Sequence, residues 1–220
     1  MKNNKSNAKE RLLNHAAEIF ALKGYHQATT REICKASEIN ITAIHYYFND
    51  KAGLYRAVIA EAFDELPKPE INTPELLNCN SIHDAMMKFY TVLLRPFLAN
   101  FESKNLPFSR FNFTHNIITR EQFEPTGLID DLMIIPANAI HAPLNVLLCK
   151  YLNLQAITDD IHRLSFAITG IGFSLIHPRH IVNHMAPNLL SEPEWQKNMI
   201  TRLADYAVSI ITSEAAKLNK

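Results

Sequence analysis

Residues 29–51, TTREICKASEINITAIHYYFNDK, constrain this chain more than any other stretch. Thr29 or Thr30 caps a first short helix that has Arg31 and Glu32 in its opening turn, and Asn40 caps a second. The apolar spacing turns Ile33 and Ala36 inward from the first helix, plugs the turn with Ile39, and makes Ile44 with Tyr47 or Phe48 the inner face of the second. Two short helices joined this tightly are a helix-turn-helix. The outward face is then Ile41, Thr42, Ala43, His45 and Tyr46. Both helix starts present backbone N–H groups, which suit anions such as the phosphates flanking a major groove. An ordinary helical hairpin inside an all-α domain has the same periodicity, so the motif alone does not decide function.

Over residues 9–60 the chain resembles the TetR family of bacterial transcriptional regulators. The resemblance is carried by the amphipathic RLLNHAAEIFALKGY, by Ala16-Ala17, Phe20 and Gly24-Tyr25, by Thr29-Thr30, and by Tyr47-Phe48, Asp50-Lys51 and Leu54 opening a further helix. It implies that the helix starting near Asn40 is the recognition helix. Thr42, Ala43 and His45 would then face base edges, Thr30 and Tyr46 would touch phosphate, Arg31 would reach a phosphate or base, and Lys51 would hold the DNA backbone. The chain departs from the family's usual pattern at Glu38, where glycine is common, at Ile41, where a small or basic residue is common, and at His45, where tyrosine is common. A positive φ at Glu38 would cost roughly 1 kcal/mol relative to glycine.

The formal net charge is +0, yet it is unevenly distributed. Residues 1–56 carry nine Lys/Arg against five Asp/Glu, and residues 57–220 carry 13 against 17. The positive field is therefore local to the reading head. Lys2, Lys5, Lys9 and Arg11 make a basic N-terminal arm, read as a solvated terminus. Cys34, Cys79 and Cys149 are odd in number, far apart and lack CxxC spacing, which fits a reducing cytoplasm and disfavours a disulfide framework or zinc ribbon. The start MKNNKSNAKERLL has no apolar signal region and no run of 18 apolar residues follows, so a cytoplasmic protein without a membrane partner is expected.

Residues 67–78, PKPEINTPELLN, read as a polar, proline-rich connection. Helical periods follow over residues 82–101, 107–123 and 128–154, then in two C-terminal helices: one opening at Thr158 with Asp159-Asp160 in its first turn, one with a capping box Ser191-Glu192-Pro193-Glu194. Strand signals are absent. The expected class is all-α, with a three-helix helix-turn-helix DNA-binding domain at residues 1–56 and a helical effector-binding and dimerisation domain at 57–220. Ile161, Leu164, Ser165, Ile168, Gly172, Leu175 and Ile176 form one stripe; Ile200, Leu203, Ala204, Ala207, Ile210 and Ile211 form another. Gly170 and Gly172 permit close approach. Two such helices from each of two subunits would build a four-helix homodimer interface, as the resemblance implies.

Phe97, Phe101, Phe108, Phe111, Phe113 and Phe123 lie on neighbouring predicted helices and suit either a packed core or an apolar pocket. Arg120 and Glu124 stand i, i+4, the spacing of a structural ion pair, and also supply a cation and acceptors for a ligand. Thr119–Thr126, with the later IHRLSFAITGIGF, is similar to the C-terminal domain of the CecR (YbiH) subgroup, which implies a drug-like or metabolite effector. Phe111, His115, Arg120 and Glu124 are the effector-binding candidates. His177, His180 and His184 would share a face on a continuous helix, but Pro178 and Pro187 interrupt it, and no HExxH or cysteine cluster accompanies them, so no metal or other cofactor is expected. With five glycines, no phosphate-binding loop and no GxSxG elbow, no enzyme chemistry is expected either. The expected function is a ligand-responsive regulator: a repressor released from double-stranded palindromic operator DNA by a small molecule, with a metal-responsive regulator or an activator of the same fold as the alternatives.

Overall fold

The computed structural model describes residues 2–65, 70–102, 110–174 and 179–218, and every regular element among them is a helix. Two compact units form, Met1–Lys68 with Asn105–Ile135, and Pro69–Lys104 with Pro136–Lys220. A division at residue 56 falls inside a helix, and the first unit recruits a segment from the middle of the chain.

The first unit holds α1 (Lys2–Gln27), α2 (Thr30–Ser37), α3 (Thr42–Phe48), α4 (Lys51–Glu65) and α7 (Arg110–Phe123). In α1, Leu12, Leu13, Ala16, Ala17 and Phe20 recur at one-face spacing and are all buried. Phe20 meets Tyr55 of α4 edge-on at 4.9 Å, and Leu54, Val58, Ile59, Ile117 and Ile129 complete the core. Burying a side chain of that size contributes about 2–3 kcal/mol, so α1 and α4 are the platform on which the two short helices rest. Gly24 kinks α1 at φ 75°, ψ 169°, a conformation essentially reserved for glycine.

The second unit packs α6 (Ile82–Glu102) against α11 (Trp195–Leu218) and α9 (Asp159–Ser174), with α8 (Asp130–Tyr151) contributing Leu144, Leu147 and Leu148. Within this core the Tyr90 hydroxyl donates to the Ile168 carbonyl at 2.8 Å. The stripe expected to make a dimer is instead this core. Ile161, Leu164, Ser165, Ile168 and Gly172 are buried, as are Ile200, Leu203, Ala204, Ala207 and Ile211, whereas Leu175 and Ile176 lie outside the described residues. Each helix turns this apolar face into the core, and on α11 the exposed positions Lys197, Asn198, Arg202 and Ser209 are polar.

Two local expectations are corrected. The proline-rich connection contains α5 (Thr73–Leu77), capped by Asn72, whose side chain accepts from Glu75 N, and its Ile71 and Leu76 join the second core. The capping box at Ser191 does not form: α11 starts at Trp195, Glu194 sits at φ 57°, and its carboxylate pairs with Lys197 at 3.0 Å. α8 continues through Pro136 and Pro143 and is, by length and composition alone, the one described helix able to cross a membrane, although Asn138, His141 and Asn145 interrupt any run of 18 apolar residues.

Candidate nucleic-acid interface

Thr29, not Thr30, caps α2. Its hydroxyl accepts from Glu32 N at 3.2 Å while the Glu32 carboxylate accepts from Thr29 N at 3.2 Å, a closed capping box. Lys23 also pairs with Glu32 and, with Thr29, holds that carboxyl below its ordinary value. The turn out of α2 passes through Glu38 at φ 56°, ψ 38°, the left-handed geometry suspected from the sequence. Ile33 is buried, but Ala36 is exposed; Cys34 and Ser37 take the other inward positions, and the Ser37 hydroxyl donates to the Ile33 carbonyl at 2.7 Å. A serine is tolerated there because its polar hydrogen is satisfied within the helix.

The second helix starts at Thr42 with Ile41, not the expected Asn40, in the cap position, although the Asn40 side chain still serves the helix start. Asn40 Oδ1 accepts from Thr42 N at 3.0 Å, and the Thr42 hydroxyl lies 3.0 Å from the same atom. Ile44 and Phe48 anchor α3 inward with Ile39 packed against them. On the opposite side Thr42, His45 and Tyr46, at i, i+3 and i+4, are exposed, Tyr46 by 70%. Ile41 is exposed beside them, whereas Ala43 is half-buried and packs into the core, so the expectation that Ala43 faces base edges fits its placement least well. His45 Nδ1 stands 2.8 Å from the Asn49 carbonyl. Arg31 is exposed at the start of α2, and Thr30 is half-buried.

Three contacts set the start of α4, on which α3 rests. The Asp50 carboxylate accepts from Gly53 N at 2.8 Å, capping α4. A Cβ at residue 53 would lie 1.9 Å from the Phe48 carbonyl oxygen, so only glycine permits this approach of α3 to α4. Lys51 Nζ donates to the Ala28 carbonyl at 2.8 Å and lies 4.3 Å over the Tyr25 ring. Burial draws its ammonium below the usual lysine range. Lys51 thus ties the start of α4 to the turn between α1 and α2.

The residues that hold α7 to this head do not stand out in the sequence. Tyr55 donates to Glu121 Oε1 at 2.6 Å, and Glu121 also accepts from Thr126 N at 2.9 Å and the Thr126 hydroxyl at 2.8 Å. Burial, then Glu121, pushes the Tyr55 phenol well above its ordinary value. Arg56 grips Asp131 with two parallel bonds of 2.7 Å, and holds that carboxyl at about 2. Arg120 lies against Gly24 of α1, and Glu124 is exposed at the end of α7. The side chains of Phe111 and His115 lie outside the described residues, as do His177 and the side chain of His180; His184 is exposed on α10 (Arg179–Met185). The available signal for Glu121 was its distance of five residues from Thr126 across a helix end at Pro125, a spacing that joins a carboxylate to the turn behind it.

Residues 12–58 match the family of bacterial regulatory proteins known as the tetR family. The probable HTH-type transcriptional regulator YttP of Bacillus subtilis is 31% identical over 64 residues, 29% of this chain and 31% of that protein. The HTH-type transcriptional regulator UidR of Escherichia coli K12 is 37% identical over 51 residues, 23% of this chain and 26% of its own length. The chain thus spans about a third or less of these curated relatives. Across nearly the whole chain the fold is similar to that of an HlyIIR mutant protein, at TM-score 0.55 and 18% identity, covering 91% of this chain and 99% of that one.

Proposed function

We propose that this protein is a TetR-family transcriptional regulator that binds double-stranded operator DNA through α3 and is released from it by a small-molecule effector. One observation carries the reading: α3 is held inward by Ile44 and Phe48 and presents Thr42, His45 and Tyr46 on a single exposed face, within the segment that matches the tetR family. Such a helix reads a major groove, and the local charge of residues 1–56, nine cations against five anions, supplies the attraction to phosphate. Arg31, Thr30 and Tyr46 flank the face as backbone contacts. Lys51 has two ammonium hydrogens beyond its bond to Ala28, and these meet a phosphate.

A single head reads few base pairs, so two copies pair through α9 and α11, placing two heads about 34 Å apart on a palindrome. The pairing faces are the exposed ones: Phe166, Gly170 and Phe173 on α9 at i, i+4 and i+7, and Tyr206 on α11. The effector favours a conformation whose head separation no longer matches the two half-sites. Its chemistry is that of a drug-like molecule or metabolite, the reading suggested by the resemblance of Thr119–Thr126 to the CecR (YbiH) subgroup. DNA as the partner makes the cytoplasm its compartment.

The test starts with genomic fragments retained by the full chain. Operator affinity at fixed salt is then measured with and without compounds that raise the melting temperature. An effector that binds tightly and weakens operator binding by about 5- to 150-fold supports release. Unchanged operator affinity with a saturating effector refutes release, and equal affinity for all sequences refutes the operator.

A further inference from the structure

We propose that the head reads base amino groups, those of adenine or cytosine, at the centre of its contact, because Thr42 and His45 both turn lone pairs outward. The inference rests on the DNA-binding reading above. Donor directions follow from the heavy atoms. His45 Nδ1 lies 2.8 Å from the Asn49 carbonyl oxygen, which only accepts, so Nδ1 carries the hydrogen. In the neutral ring Nε2 then holds a lone pair. The atom of Asn40 that faces Thr42 is likewise determined. Thr42 N, 3.0 Å away, only donates, which identifies that atom as the amide oxygen. The Thr42 hydroxyl, 3.0 Å from the same oxygen, must therefore donate to it, and its lone pairs face away.

Two acceptors three residues apart on the exposed face of one helix make a reading head of one polarity. In the major groove adenine N6 and cytosine N4 donate, whereas guanine shows only the acceptors N7 and O6. Guanine opposite these side chains leaves lone pairs facing lone pairs in a desolvated contact. Ile41, exposed one residue before Thr42, adds an apolar surface suited to a thymine methyl group. The intramolecular bonds to Asn40 and Asn49 thus act as specificity determinants at a distance: they decide which hydrogen-bonding half of each side chain the DNA meets.

The full chain is used at pH 8 and fixed salt to select bound sequences from random duplex DNA. Each invariant adenine of the half-site is then replaced by purine, and each invariant cytosine by 2-pyrimidinone, which lack the amino group. At one or two positions the deletion should weaken binding roughly 5- to 50-fold. His45→Ala or Thr42→Val should make the corresponding position indifferent to the same deletion. His45→Gln, whose amide turns to offer either polarity, should admit guanine there. Selection of guanine at the position His45 governs overturns the assignment with DNA binding intact, as does full tolerance of the amine-free bases. Failure to select any sequence overturns the DNA-binding reading and this inference with it.

Discussion

Glu38 and Gly53 show opposite relations between a residue and its backbone. Glu38 occupies the left-handed region at φ 56°, where a Cβ crowds the following carbonyl. Glu38→Gly relieves that strain but frees the unfolded chain, so a net gain of about 0.5–1 kcal/mol is expected in urea unfolding. A loss would show that the Glu38 side chain holds the turn. Gly53 has an ordinary helical backbone and is needed for space, since a Cβ would sit 1.9 Å from the Phe48 carbonyl. Gly53→Ala must push α3 away from α4; operator affinity should fall at least tenfold, with faster hydrogen exchange in α3. The first feature was legible in the sequence because turn chemistry is local. The second was not, because the nearest atom to the missing Cβ belongs to the preceding helix.

Polar contacts near helix ends supplement the apolar core in placing α7 and the start of α8. The Tyr55–Glu121–Thr126 cluster and the Arg56–Asp131 fork hold α7 and the start of α8 to α4 within the first unit. Tyr55→Phe leaves Glu121 with its Thr126 partners, so a loss of about 1–2 kcal/mol is expected, read as faster amide exchange along α7. Unchanged exchange would show that apolar packing by Ile117 suffices. Arg120 and Glu124 stand out in the sequence because they share a helix face, whereas Glu121 reaches a different element by accepting from Tyr55 of α4.

Titration adds a second test at this scale. Asp131 is held at about 2, below its unfolded value, so its contribution is present above about pH 4 and lost as pH falls toward 2. His141, whose Nδ1 lies 2.7 Å from the Ser165 hydroxyl, is drawn down by burial and then by His162. A base with a lowered folded value is destabilising when protonated, so its contribution is full above the ordinary histidine range and fades as pH falls through it. The melting temperature should fall between pH 8 and pH 5, and His141→Asn should flatten that slope. Equal slopes would remove His141 as the cause.

At the scale of the whole molecule, the proposed pairing surface is the side of α9 that carries the exposed Phe166, away from the second core. Phe166→Glu should convert a dimer to a monomer by light scattering and lower operator affinity by at least tenfold, while the helix content of the chain is retained. A monomeric parent chain, or a dimeric variant, would move the interface elsewhere. The amino-acid sequence by itself determined the all-helical class, the helix-turn-helix and the outward placement of Ile41, Thr42, His45 and Tyr46, though not that of Ala43, because caps, turn residues and apolar periodicity act within a few positions of one another. It also identified α9 and α11 as strongly apolar. Only the tertiary structure decided which side of each helix is covered, that Ala36 points out and Ser37 in, that residues 105–135 belong with the head, and which hydrogens of Thr42 and His45 are already engaged. Those outcomes depend on partners distant in sequence or on the direction of a single bond, and periodicity carries neither.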